Sequence, residues 1–145
     1  MYIERENMFK IKIYVNRRGK SPIKEWMSEL NKEAETNKDS RVNLKKLYYY
    51  LDMLSKDGTS IGEPYVKHLE EDIWELRPIK NRVLFFCWEH DTFVLLHYFQ
   101  KKTQKTPRAE IEQAKKNRKD FDENKRNRLA GVQTRIIDRG RTSRN

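Results

Sequence analysis

One cysteine, Cys87, in 145 residues rules out a disulfide framework within the chain and fits a reducing compartment. Its place inside an apolar stretch predicts a small buried core residue rather than a nucleophile. The three histidines, His68, His90 and His97, are scattered, and no carboxylate pair stands at ligand spacing, so neither a metal nor any other cofactor is expected. No apolar run is long enough to span a bilayer, and the start of the chain carries no signal-peptide h-region. A soluble, cytoplasmic chain with no membrane partner is therefore expected. There is no internal repeat. Charged residues (37%) match the hydrophobic ones (36%) in number, but the hydrophobic ones are bunched. That argues for a small folded unit with a solvated coat and loose ends, not for disorder throughout.

The length suits one domain with one modest core. The charge is unevenly placed. Residues 1–100 carry 17 Lys/Arg against 16 Asp/Glu, whereas residues 101–145 carry 15 against 6. Nearly all of the positive excess follows the last apolar segment. Such an excess attracts nucleic-acid phosphates, with an affinity that falls as salt rises.

Residues 1–7 read as polar and loose. Phe9, Ile11, Ile13 and Val15 alternate with Lys10, Lys12 and Tyr14, which predicts a half-buried strand. Ser21-Pro22 is a helix start, Ser as cap and Pro at the first helical position. Ile23, Trp26, Met27, Leu30 and Ala34 follow at helical spacing. A second helix, capped by Asp39 or Ser40, would turn Leu44, Leu47, Tyr48, Leu51 and Leu54 inward and stop at Gly58. The two form a helical hairpin. Thr59 to Leu69 reads as a connector, and three strands follow between Ile73 and Phe99. Thr106-Pro107 repeats the cap-plus-proline signal for a third helix, with Ile111, Ala114, Arg118 and Phe121 on its seam and Lys115, Lys116 and Lys119 away from it. After Asn124 the periodicity is lost. Residues 1–123 are thus expected to be the folded domain and 124–145 a basic, flexible tail.

Two-residue turns at Ile79-Lys80 and His90-Asp91 would set Arg77 opposite Arg82, Arg82 opposite Phe99, and Leu84 opposite His97. Alternation then assigns Glu75, Arg77, Arg82, Leu84, Phe86, Phe93, Leu95, His97 and Phe99 to one face. Trp74, Leu76, Val83, Phe85, Cys87, Val94, Leu96 and Tyr98 make the other, which should pack on the helical hairpin. Directly opposed arginines repel. Either Glu75 or a neighbouring acid neutralises them, or they form a phosphate clamp, for which the planar guanidinium is suited.

RNA carries its own nucleophile, the 2′-hydroxyl. Cleavage needs a base for it, charge stabilisation of the phosphorane, and an acid for the departing 5′-oxygen. Arg77 and Arg82 can serve the second need, His97 the third. Crowding among Lys101, Lys102, Lys105 and two arginines disfavours the charged form of a lysine and suits one of the group to proton transfer. Phe99 can stack on a base, and Lys105, Lys115 and Lys119 can hold the flanking phosphates.

The order strand, helix, helix, three strands, helix resembles the RelE/ParE toxin superfamily. The phrases VKHLEEDIWELR, NRVLFFCW, LLHYFQKKTQKTP and EIEQAKK resemble its phage-derived HigB branch, over about Phe9 to Phe121. The resemblance implies an α+β fold, β-α-α-β-β-β-α, with a small twisted antiparallel sheet packed on the helical hairpin. It implies the toxin of a type II toxin–antitoxin pair, a metal-independent endoribonuclease that cuts messenger RNA on the ribosome. Its implied partner is a helix-turn-helix antitoxin, in a hetero-oligomer. Arg77, Arg82, His97 and Lys101 to Lys105 match the basic phrases of that branch. Two other classes stay open: a ParE-like gyrase inhibitor on the same fold, and a non-catalytic nucleic-acid-binding or phage regulatory protein.

Overall fold

The computed structural model describes residues 8–141, with side chains described for residues 8–126. The loose start expected of residues 1–7 lies outside them. Strand β1 (Lys10–Ile13) leads into helices α1 (Pro22–Glu33) and α2 (Lys38–Asp57), a short 3-10 turn (Gly58–Ile61), strands β2 (Val66–Glu70), β3 (Ile73–Leu76), β4 (Asn81–Trp88) and β5 (Thr92–Gln100), and helix α3 (Arg108–Arg141). One sheet has the order β1-β5-β4-β3-β2. The architecture is the expected α+β one, with two differences in the sheet. The connector expected over Thr59 to Leu69 contains an edge strand, β2, and β1 runs parallel to β5, so the sheet is mixed. The long α1–α2 excursion after β1 is the kind of connection that parallel strands require.

Local chemistry sets the helix ends. The Ser21 side chain caps α1, with Pro22 in the first turn. The cap of α2 is Asn37, whose Oδ1 accepts from the Ser40 backbone N–H at 3.0 Å, rather than Asp39 or Ser40. Gly58 ends α2 at φ 69°, a conformation that favours glycine, and a Cβ there would stand 2.9 Å from the Phe9 ring, which would have to shift. Tyr48, expected inside, is solvent-exposed. The boundary expected near residue 123 falls within α3, whose backbone helix continues to Arg141.

Two apolar clusters sandwich the sheet. On one face the hairpin residues Ile23, Leu30, Leu47, Leu51 and Leu54 pack on Val66, Leu76, Val83, Phe85, Phe93 and Leu95. On the other, Ala114 and Phe121 of α3 pack on Ile73, Leu84, Phe86, Val94 and Leu96. Phe93 and Leu95 have therefore changed faces with Val94 and Leu96 relative to the sequence expectation. The register explains it. Arg82 pairs with Phe99 and Leu84 with His97, as expected, but Phe85 pairs with Leu95 across a bulge. One extra residue on β5 reverses the alternation beyond it. The turn is accordingly Glu89-His90-Asp91, not two residues, with positive φ at Glu89 and His90. The Asn117 side chain donates to the Leu96 carbonyl at 2.8 Å, tying α3 to the bulge. Cys87 lies at the far end of β4 and is exposed, not core.

Candidate nucleic-acid interface

The ladder sets Arg77, Arg82 and His97 toward one end of the α3 face. Lys67 of β2 pairs with Glu75 of β3, Glu75 with Leu84 of β4, and Leu84 with His97 of β5. One step along, Arg82 pairs with Phe99. Arg77 follows the last residue of β3, and its N–H still donates to the Tyr65 carbonyl at 2.9 Å. Because Val66 and Leu76 point into the hairpin cluster, alternation turns Lys67, Glu75 and Arg77 to the opposite face. The β3–β4 turn closes with the Asn81 N–H on the Pro78 carbonyl at 3.0 Å, so the central residues are Ile79 and Lys80, as the spacing predicts.

Glu75 sits at the centre, 1% exposed. Its Oε1 lies 3.4 Å from Arg77 Nε and 3.9 Å from Arg82 Nε. Its Oε2 accepts a 2.6 Å hydrogen bond from the Thr106 hydroxyl. A buried carboxylate needs such partners, since an unpaired buried charge is costly. The neutralising reading of Glu75 therefore holds, and it accounts for one charge against two.

The two arginines differ in what they have left to offer. Arg82 is 6% exposed, and its Nη1 donates to the carbonyls of Ile79 (3.1 Å) and Asn81 (2.8 Å). Burial first, then the neighbouring Arg77 charge, lower its pKa from the ordinary arginine value. Arg77 keeps 19% of its side chain exposed and makes ion contacts of 3.4 Å to Glu75 and 3.8 Å to Glu63. Its buried Nε has no hydrogen-bond partner among the described residues. Arg82 supports the turn. Arg77 faces a groove of about 960 Å³ between β2, the β5–α3 loop and the start of α3, lined also by Lys67, Gln104, Lys105, Thr106 and Arg108.

His97 lies farther along β5, 20% exposed, with Nε2 3.3 Å from Glu110 Oε1 in the first turn of α3. An acid in that position is favoured by the helix dipole and orients the imidazole. Phe99 stacks beside it, ring centroids 6.1 Å apart. The loop after β5 is pinned at its start, where the Lys101 N–H donates to the Lys80 carbonyl at 2.6 Å. Lys102 and Lys105 are exposed on it.

The family model described as Phage derived protein Gp49-like (DUF891) matches residues 25–119. The chain belongs to that family. The match takes in most of α1, all of α2 and β2 to β5, and the first turns of α3, and with them Arg77, Arg82, His97 and the lysine loop. The Gp49-like family is related to the RelE/HigB-like toxins. None of the curated proteins compared with the chain matches it.

Three residues of this Gp49-like protein, Lys67, Thr106 and Glu110, were not assigned to the site from its sequence, and others fall differently from expectation. Lys67, hidden in a charged edge strand, faces the groove. Thr106 reads as a helix cap, yet α3 begins at Arg108 and the hydroxyl serves Glu75. Glu110 pairs with a histidine 13 residues away in sequence, a separation that local spacing does not reveal. His68 packs on Trp74, 5.1 Å between ring centroids, and its Nε2 lies 2.5 Å from the Glu71 carbonyl. Lys115, expected at the substrate, forms ion pairs with Glu70 and Glu71, and Arg108 pairs with Glu70 and Glu112. Lys119 is exposed on α3.

Proposed function

We propose that this Gp49-like chain is the toxin of a type II toxin–antitoxin pair, held in check by a helix-turn-helix antitoxin, and that it cuts messenger RNA on the ribosome as a metal-independent endoribonuclease. The observation that carries this reading is Arg77: a guanidinium held in place by Glu75 and still 19% exposed, set in a groove lined also by Lys67, Lys105 and the Arg108–Glu70 pair. A phosphodiester can accept from its exposed edge in the bidentate geometry that arginine favours. In this reading Arg77 and Lys105 grip the scissile phosphate. A lysine of the loop, Lys101, Lys102 or Lys105, takes the 2′-hydroxyl proton. The 2′-oxygen bonds to phosphorus and the bond to the 5′-oxygen breaks. His97, oriented by Glu110, protonates that oxygen. The products are a 2′,3′-cyclic phosphate and a 5′-hydroxyl. Phe99 offers a stacking surface for a base, and Arg82 acts from below by fixing the turn that carries Arg77.

Primer extension on programmed ribosomes with the purified protein tests it. Cuts in the message are expected, and Arg77→Ala should slow them about 100-fold, the scale of losing one stabilising donor to the transition state. His97→Ala should slow them as a lost acid does, about 100-fold or more. RNA retarded in a gel but never cut would favour a simple binder, and damaged DNA with intact messages a gyrase inhibitor.

A further inference from the structure

The loop lysines and Arg77 stand on different elements. Lys102 and Lys105 belong to the β5–α3 loop, Arg77 to the β3–β4 connection. Two bonds join these pieces. At the near end of the loop the Lys101 N–H donates to the Lys80 carbonyl of the β3–β4 turn, at 2.6 Å. At the far end the Thr106 hydroxyl donates to Glu75 Oε2, also at 2.6 Å. Within the loop, the Thr103 hydroxyl donates to the Lys105 carbonyl at 2.7 Å. The carboxylate that receives the loop is the one whose other oxygen faces Arg77 and Arg82.

We propose that Glu75 and Thr106 form a latch that makes loop and arginine one binding unit, with Glu75 and Thr106 as positioning residues and a single-stranded phosphodiester as the ligand they prepare for. This rests on the nucleic-acid reading above. Like-charged groups do not gather unaided. Arg77, Arg82 and the loop lysines repel one another, and the buried carboxylate offsets that repulsion from beneath while its Thr106 bond holds the loop against the sheet. A charge-assisted bond of this kind is about twice as strong as a neutral one. With the latch closed, the ligand meets cations already placed, and little ordering of the loop remains to oppose binding. With it open, the loop between Lys101 and the start of α3 loses its tie to the sheet beneath Arg77, and its lysines move more freely.

The test uses the whole protein and a single-stranded oligonucleotide with a 2′-deoxy sugar at the cleavage position, which binds without being cut. Thr106→Val keeps the shape of the side chain and removes the donor. Its circular dichroism should match the parent protein, while trypsin cuts after Lys102 and Lys105 about tenfold faster and the oligonucleotide binds about tenfold more weakly, the scale of one lost bond to a charged group. Glu75→Gln, which retains a neutral acceptor, should give a cutting rate between the two. The discriminating measurement is a double-mutant cycle. In an Arg77→Ala background, Thr106→Val should weaken binding far less than it does alone, because the unit is already broken. Additive effects, or loop cutting unchanged in Thr106→Val, overturn the latch. Should the parent protein bind the oligonucleotide neither free nor in a programmed ribosome, the nucleic-acid reading falls, and the trypsin rates still decide whether the latch exists.

Discussion

The hairpin face of the sheet and its α3 face share the same strands yet are held in opposite ways. The hairpin side is closed by interdigitated apolar groups, with Leu47, Leu54, Leu76, Val83 and Phe85 all at 1% exposure or less. On the α3 side, Ile111, Ala114 and Phe121 supply the buried apolar contact, and charged groups do much of the rest. Arg108 and Lys115 reach Glu70, Arg118 reaches Asp72 while lying over the Phe86 ring, and Arg17 reaches Asp120 and Glu123. The Tyr14 hydroxyl donates to Asp120 at 2.6 Å; burial and that carboxylate push its pKa well above the usual tyrosine value. One face supplies rigidity. The other uses that rigidity to hold Glu75 and Arg82 out of water, a cost the ladder must offset.

The largest separation of the two faces should come from Phe85→Ala. Phe85 is fully buried and stacks edge-on against Phe93, centroids 5.5 Å apart. Its removal should cost about 3–5 kcal/mol in urea unfolding, while the folded fraction retains its affinity for RNA. Weakened binding at full stability would mean that the faces are not separable. Next in size, Arg82→Ala strips a partner from a buried carboxylate and should cost roughly 3 kcal/mol, moderated by Arg77 and Thr106. From sequence alone, alanine at Arg82 is expected to leave the fold intact; its burial and its two carbonyl bonds argue otherwise. Arg77→Ala is the matched comparison: it removes the nearer partner of the same carboxylate, at 3.4 Å, but leaves the two carbonyl bonds of Arg82 in the turn, so it should cost less, about 1.5 kcal/mol, with the loss of function described above. Equal stabilities for the two variants would erase the distinction between support and ligand contact.

The same contrast governs what could be read from the sequence. Apolar periodicity announced α1, α2 and the strands, because burying one face imposes it. It failed at Phe93 to Leu96 because both sides of β5 are apolar there, so a one-residue bulge leaves no trace in the pattern. β2 went unread for the opposite reason: VKHLE is a charged edge, which such strands carry to avoid pairing with other chains. The shared face of Arg77, Arg82 and His97 was legible because the register near the Ile79-Lys80 turn precedes the bulge. The charge relations were not. Whether Lys115 meets phosphate or Glu70, and whether Thr106 caps a helix or holds Glu75, depends on how α3 lies across the sheet, and no local spacing encodes that.

The smallest effect probes the charged seat of α3 directly. Hydrogen bonds from Arg108, then from Lys115, lower the Glu70 carboxyl from an ordinary 4.5 to about 2. A carboxyl with a depressed pKa in the folded state adds stability that is complete above its unfolded value and fades as pH falls toward the folded one. The seat should therefore be insensitive above about pH 4.5 and loosen from there toward pH 2. Trp88 is a reporter, since its ring meets Phe121 of α3 edge-on at 5.4 Å, and its indole N–H resonance should move across that window. Glu70→Gln should remove the part of the movement owed to Glu70 and leave the Asp72 pair, and 1 M salt, with a screening length of about 3 Å, should blunt the rest. The hairpin face, read through methyl resonances of Leu47 and Leu54, should stay still throughout. If Glu70 titrates at its ordinary value and Trp88 ignores both acid and salt, α3 is held by its apolar seam alone, and the contrast between the two faces fails.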